Sequence, residues 1–166
     1  MNKAAIRLLL KTVVLAALVS NGRAQDTNVT IKAAGAPSFI LKVPAGANVT
    51  STDEHTVVQT TETTFHLWKL NVKTPDEALP RISEIIKGEF VNLKPSATND
   101  LKILGGTARQ VSGKGNEADD GDPGATEVVL FTAGKHVFAA CAHGEFDDAA
   151  RRSKVMLAML KNAKLP

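Results

Sequence analysis

Cys141 and His143 stand two residues apart in an apolar segment. On a strand they would point to the same face, and a cysteine beside a histidine is the arrangement of a thiol nucleophile and its base. The spacing opposes that chemistry. Two residues along a strand span roughly 6.5 Å at ~3.3 Å rise, whereas nucleophile and base need about 3 Å. The neighbours Val137, Phe138, Ala139, Ala140 and Ala142 are apolar, and burial among them raises a thiol pKa. Cys141 is therefore read as a core residue. His55, His66, His136 and His143 could hold a metal only if the fold brought three of them together. No two have zinc-motif spacing, and one cysteine makes no cysteine cluster. His66 and His136 are expected to start or flank strands as ordinary exposed polar residues. No catalytic, metal-binding or cofactor-binding residue is assigned.

Two charged clusters remain. Glu117 to Gly124 is acidic and glycine-rich, but oxygen donors do not recur at the alternate positions of a calcium loop. It reads as a solvated hairpin tip, with Asp119, Asp120 and Asp122 offered as a possible partner contact. Arg151, Arg152 and Lys154 form a basic cluster on the last helix. They could dock an acidic partner or, weakly, an anionic surface. Gly105-Gly106 and Gly113-x-Gly115 make neither a dinucleotide loop nor a phosphate loop. No Gly-x-Ser-x-Gly elbow or His-Glu-x-x-His helix occurs.

Residues 1–24 read as a secretory signal peptide: Lys3, Arg7 and Lys11 first, an apolar run at Val13–Val19, then Gly22 and Ala24 before a cut after Ala24. The run is far short of the ~20 residues of a membrane span. The whole chain has 20 basic and 17 acidic residues. Removing Lys3, Arg7, Lys11 and Arg23 turns the formal charge of +3 into −1. Global basicity then gives no reason to expect a nucleic-acid partner. One cysteine excludes an internal disulfide, which suits a periplasm better than a disulfide-built extracellular scaffold. The triplets at Asn28 and Asn48 would matter only in a eukaryotic secretory route.

The elements that must position these residues follow from periodicity. Residues 25–37 read as a flexible lead-in, with room for a short strand at 29–33. Phe39, Leu41 and Val43 alternate with polar residues, the pattern of a half-buried strand. Pro44-Ala45-Gly46 turns the chain, Thr56–Thr61 reads as an exposed strand, and Thr64–Val72 carries apolar residues on both faces, as an inner strand does. Trp68 on it is expected in the core. Thr74-Pro75-Asp76-Glu77 opens a helix with a capping side chain, expected to end at Gly88, although Pro80 should kink it. Short strands are expected at 101–104 and 107–112, a loop at 113–124, and a hairpin of strands 127–132 and 136–143. A last helix opens at Asp147-Asp148, with Val155, Met156, Met159 and Leu160 as its apolar stripe. The class is α+β: a mainly antiparallel sheet with two helices packed on it, in a single domain over 38–166.

Ser38–Gly46, Thr74–Leu79, Leu104–Ala108 and the 127–143 hairpin with its following helix resemble, in order, the PsbP-like and DcrB-like group of small secreted α/β proteins. Ala47 departs from that group, where an aromatic residue often follows the Pro-x-Gly turn. The resemblance implies a layered sheet-and-helix sandwich and an adaptor or assembly role without a shared catalytic set. The expectation is a periplasmic or secreted, non-enzymatic binding or accessory protein whose partner is probed best as another protein, without a membrane span. The alternative is a small hydrolase or metal-dependent enzyme using the histidines or Cys141.

Overall fold

The computed structural model describes residues 26–166; the signal segment expected at 1–24 lies outside them. Among the described residues nine strands form two sheets. β1 (Thr27–Ala33) and β2 (Ala36–Val43) make an antiparallel hairpin. The other seven are β3 (Asn48–Ser51), β4 (His55–Gln59), β5 (Thr64–Leu70), β6 (Phe90–Ile103), β7 (Gly106–Glu117), β8 (Pro123–Ala133) and β9 (His136–Gly144). They form one sheet in the order β3-β4-β5-β9-β8-β7-β6, every pair antiparallel. After β5 the chain crosses to the far edge, returns through β6, β7 and β8, and closes with β9 against β5.

Alternation on the inner strands assigns two cores. Phe65 and Leu67 of β5, Val129 and Phe131 of β8, and Phe138 and Ala140 of β9 face one side. There they meet the β1–β2 hairpin and helix α3 (Ala149–Lys161) through Phe39, Leu41, Met156 and Leu160. Phe39 sets its ring edge-on to Phe131 and Phe138 at 5.6 and 5.2 Å, a geometry worth about 1 kcal/mol per pair beyond burial. Val128, Leu130, Ala139 and Cys141 face the other side, against Ala78, Ile82, Ile86 and Phe90.

That second layer is a broken helical segment. Helix α1 (Pro75–Ala78) passes through a 3-10 turn at Leu79–Arg81 into helix α2 (Ile82–Ile85). The Thr74 hydroxyl accepts from the Glu77 amide at 3.3 Å, as its spacing predicts, while Glu77 Oε2 accepts from Lys73 rather than from the cap itself. Pro80 is why the expected single helix over 74–87 divides: it has no amide hydrogen to give and crowds the preceding turn. Arg109 of β7 clamps the segment, its Nε and Nη2 reaching both carboxylate oxygens of Asp76 at 2.6 and 3.3 Å, and it also pairs with Asp100. This hydrogen bonding holds the Asp76 carboxyl below its usual range.

Several expectations need correction. Within the lead-in expected at 25–37, the short strand allowed at 29–33 is present as part of β1, and the rest is its turn and the start of β2, with seven paired positions between the two strands. β4 is half-buried: Val58 joins the core with Phe65 and Leu67, Thr56 is buried too, and β3 pairs along its outer edge. The short strand at 101–104 is the end of the fourteen-residue β6. As an edge strand β6 accepts Pro95 and two bulges, and its polar residues hid it from a hydrophobic pattern. The loop expected at 113–124 is only residues 118–122. Gly113 and Gly115 lie in β7, where an added Cβ would come within 2.4 Å of Leu93 Cδ1 and of the Val91 carbonyl oxygen respectively. These glycines permit close strand approach rather than marking a loop.

Candidate metal centre

Three histidines converge on the sheet face that carries the broken helix. β4 places His55 opposite Trp68 of β5. His66 and Trp68, two residues apart, share that face. β9 sets Cys141 opposite His66, so His143 continues the same row. The His55 ring lies parallel to Trp68 at 5.2 Å and to His66 at 5.3 Å, and His66 sits 5.7 Å from His143. Trp68 is thus half-buried and backs the histidine stack, not the centre of the core as expected. His66 is 9% exposed, in the middle of an inner strand rather than at a strand start. His136 lies at the opposite end of β9, at the start of the strand, and takes no part.

Two carboxylates complete the group. Glu89 follows α2; its amide donates to the Ile86 carbonyl at 2.8 Å and its carbonyl accepts from Ala118 at 3.0 Å. Glu117 ends β7. His55 Nε2 stands 3.2 Å from His66 Nδ1, and His66 Nδ1 stands 3.4 Å from Glu89 Oε1. Ligand atoms of His55, His66 and Glu89 all lie within 4.8 Å of one another. The second oxygen of Glu89 faces His143 Nε2 at 3.8 Å, and His143 Nδ1 contacts Glu117 Oε2 at 3.0 Å.

These distances suit a metal ion. Metal–nitrogen bonds of ~2.1 Å at tetrahedral angles separate neighbouring donors by roughly 3.4 Å, close to the two shorter distances. Two imidazoles and one carboxylate suit zinc and other divalent transition ions better than calcium or magnesium. Only neutral imidazole binds metal, and the site favours that form. Burial first, then repulsion from His143 and His55, lowers the His66 pKa from 6.5 to about 4. Glu117 orients His143 through its 3.0 Å contact, and His143 Nε2 faces Glu89 at 3.8 Å, beyond hydrogen-bond reach.

Beneath this group Cys141 is fully buried, its Sγ 3.3 Å from Thr126 Oγ1. Burial pushes its thiol up to about 12, so at neutral pH it is not a nucleophile. The two charged clusters lie elsewhere. Asp119, Asp120 and Asp122 are exposed on the β7–β8 turn, where Asp119 Oδ1 and Asp120 Oδ1 accept backbone amides of that turn. Arg151 is exposed and pairs with Asp148 at 2.9 Å, and Lys154 is exposed. Arg152 is 8% exposed and turns toward the sheet, because one step along a helix rotates a side chain by about 100°. The basic patch expected of all three is therefore divided.

Sequence reasoning named His55, His66, His136 and His143 but saw no spacing to join them, and it passed over Glu89 as a ligand and Glu117 as the partner of His143. The same-face pairs His66–Trp68 and Cys141–His143 were the available signal.

No protein-family model and no curated protein matches this chain. Its fold is that of a solved structure, cyanobacterial PsbP (CyanoP) from Synechocystis sp. PCC 6803: TM-score 0.63 at 8% identity, covering 92% of this chain and 99% of that one. The architecture is thus PsbP-like, as the sequence resemblance implied: a seven-stranded antiparallel sheet, a small two-stranded sheet and helices on both faces. Two further structures are similar at lower scores. PA94 from Pseudomonas aeruginosa, a protein of unknown function and putative regulator, gives 0.49 at 11% identity over 83% of this chain and 95% of its own. LpqN, involved in cell envelope biogenesis of Mycobacterium tuberculosis, gives 0.48 at 16% identity over 86% and 91%. Among the described residues no helix is long and apolar enough to cross a membrane.

Proposed function

We propose that this chain is a non-enzymatic binding or accessory protein acting outside the cytoplasm, and that it holds a divalent transition-metal ion through His55, His66 and Glu89. The observation that carries the metal reading is the convergence of those three donors within 4.8 Å, with two separations of 3.2 and 3.4 Å. The signal-like segment at 1–24 supports the compartment. Asp119, Asp120 and Asp122 lie on the exposed turn that begins after Glu117, so they are the surface this reading offers to a protein partner.

The test is calorimetric titration of the metal-free protein with Zn2+, repeated with Co2+ so that the visible spectrum reports coordination. Binding of one ion per chain, with a tetrahedral or five-coordinate cobalt spectrum, is expected. His66→Asn and Glu89→Gln should each weaken it by about 10–100-fold or more. No binding, or binding indifferent to both changes, would overturn the metal reading. Three protein ligands leave a position for water, as in hydrolytic zinc sites. Metal-dependent hydrolysis of a model ester, lost in the same variants, would replace the accessory reading with the enzymatic one.

A further inference from the structure

A second site lies on the opposite face of the sheet. A cleft of about 300 Å³ opens between the first turns of α3 and strands β7, β8 and β9, lined by Gln110, Ser112, Glu127, Ala142, Ala149 and Arg152 among others. That volume is at the small end of ligand pockets and is roughly ten times the share of one water in the liquid.

Two charged side chains line this cleft, both more than nine-tenths buried. Glu127 is 8% exposed. Its Oε2 accepts from Ser112 Oγ at 2.8 Å, but its Oε1 is buried with no hydrogen-bond partner. Arg152 is also 8% exposed. Its guanidinium lies over Gly144, where an added Cβ would come within 2.9 Å of Cζ and Nη1, so the glycine makes room for it. Its Nη2 donates to the Glu145 carbonyl. Among the described residues no carboxylate stands within ion-pair distance of Arg152, Glu127 included. Burying one charge without its counterpart is costly. Asp148, Glu117 and Glu145 attract Arg152 from beyond ion-pair distance, and Glu127, buried beside the same cleft, does not meet it.

A ligand with an N–H cation at one end and a carboxylate at the other satisfies both. We propose that this cleft binds a small zwitterion of the amino-acid class, its ammonium on the Glu127 carboxylate and its carboxylate on the Arg152 guanidinium. The guanidinium suits a carboxylate because its planar fork can donate two parallel bonds. The Glu127 carboxylate, one of whose oxygens has no partner, selects for a donor. Ser112 holds the other Glu127 oxygen, which fixes the direction of the acceptor. The inference does not depend on the metal reading, since His143 and Glu127 belong to opposite faces of the sheet.

The experiment is titration calorimetry on the protein in chelator, with glycine, β-alanine and γ-aminobutyrate as probes of increasing charge separation. Acetate and methylammonium serve as single-charge controls. One zwitterion should bind, at about millimolar affinity or better, and the controls should bind at least about tenfold more weakly. Glu127→Gln keeps the shape and removes the charge; it should weaken the preferred zwitterion at least about tenfold while the circular dichroism spectrum is unchanged. Arg152→Lys should do the same, and if that variant does not fold, Glu127→Gln alone decides. No heat from any of the three zwitterions at about 20 mM would overturn the proposal. So would equal binding of acetate, or zwitterion binding unchanged in Glu127→Gln.

Discussion

Acidification should unfold this protein partly through one histidine. His66 is packed between the rings of His55 and His143, backed by Trp68, and faced by the carboxylates of Glu89 and, beyond His143, Glu117. Burial and the neighbouring histidines lower its pKa from 6.5 to about 4. The unfolded chain takes up a proton at this position as pH falls through 6.5, while the folded chain does not until about pH 4. The stability tied to neutral His66 is therefore complete above about pH 6.5 and is lost as pH falls toward 4. Each tenfold change in protonation equilibrium is worth ~1.4 kcal/mol, which sets an upper limit of about 3 kcal/mol. Solvent at the half-open His55 side screens part of this, leaving about 1–2 kcal/mol. The assay is urea denaturation of metal-free wild type and His66→Phe at intervals from pH 7.5 to 4.5. Groups remote from position 66 are common to both proteins, so the difference between the curves reports His66 together with its coupling to His143 and His55. Wild type should lose about 1–2 kcal/mol more than the variant across that range. Parallel curves would refute the assignment of the acid sensitivity to His66.

Two other outcomes follow from the packing. Cys141 should not react with a maleimide at pH 8 in the native protein and should react fully in denaturant, since it is buried and its thiol is pushed up to about 12; rapid native labelling would show that β9 opens at that point. Gly115→Ala should cost about 1–3 kcal/mol, read as a lowered urea midpoint, because the new Cβ would lie 2.4 Å from the Val91 carbonyl oxygen, which is backbone and cannot swing aside; an unchanged midpoint would show that β6 shifts outward at little cost.

Local pattern was enough where local physics decides. The alternation of Phe65 and Leu67 against Trp68 and Leu70 marked β5 as an inner strand, and the same face assignment holds in the two cores. Thr74 caps its helix as its position requires, and the Gly134 hairpin joins β8 to β9. The long edge strand β6 was hidden because residues whose side chains face water need no apolar period, so only its ladder with β7 reveals it. Gly113 and Gly115 misled for a related reason: a glycine demanded by a neighbouring strand looks, in one dimension, like a glycine demanded by a turn.

The residue sequence by itself determined the antiparallel character, the covered sheet, the capped helix and the buried cysteine, because periods of two and 3.6 residues and turn chemistry are properties of neighbouring residues. Only the tertiary structure decided the two candidate sites. β5 pairs with β9, far along the chain, and that single closure sets His143 beside His66 and frames Glu89 between them. The packing of α3 onto the sheet likewise turned Arg152 inward to the cleft that holds Glu127, while Arg151, one residue earlier, stayed in solvent. Sequence spacing records distance along the chain, and chemistry needs distance through space; the two coincide within an element and part company wherever strands distant in sequence become neighbours in a sheet.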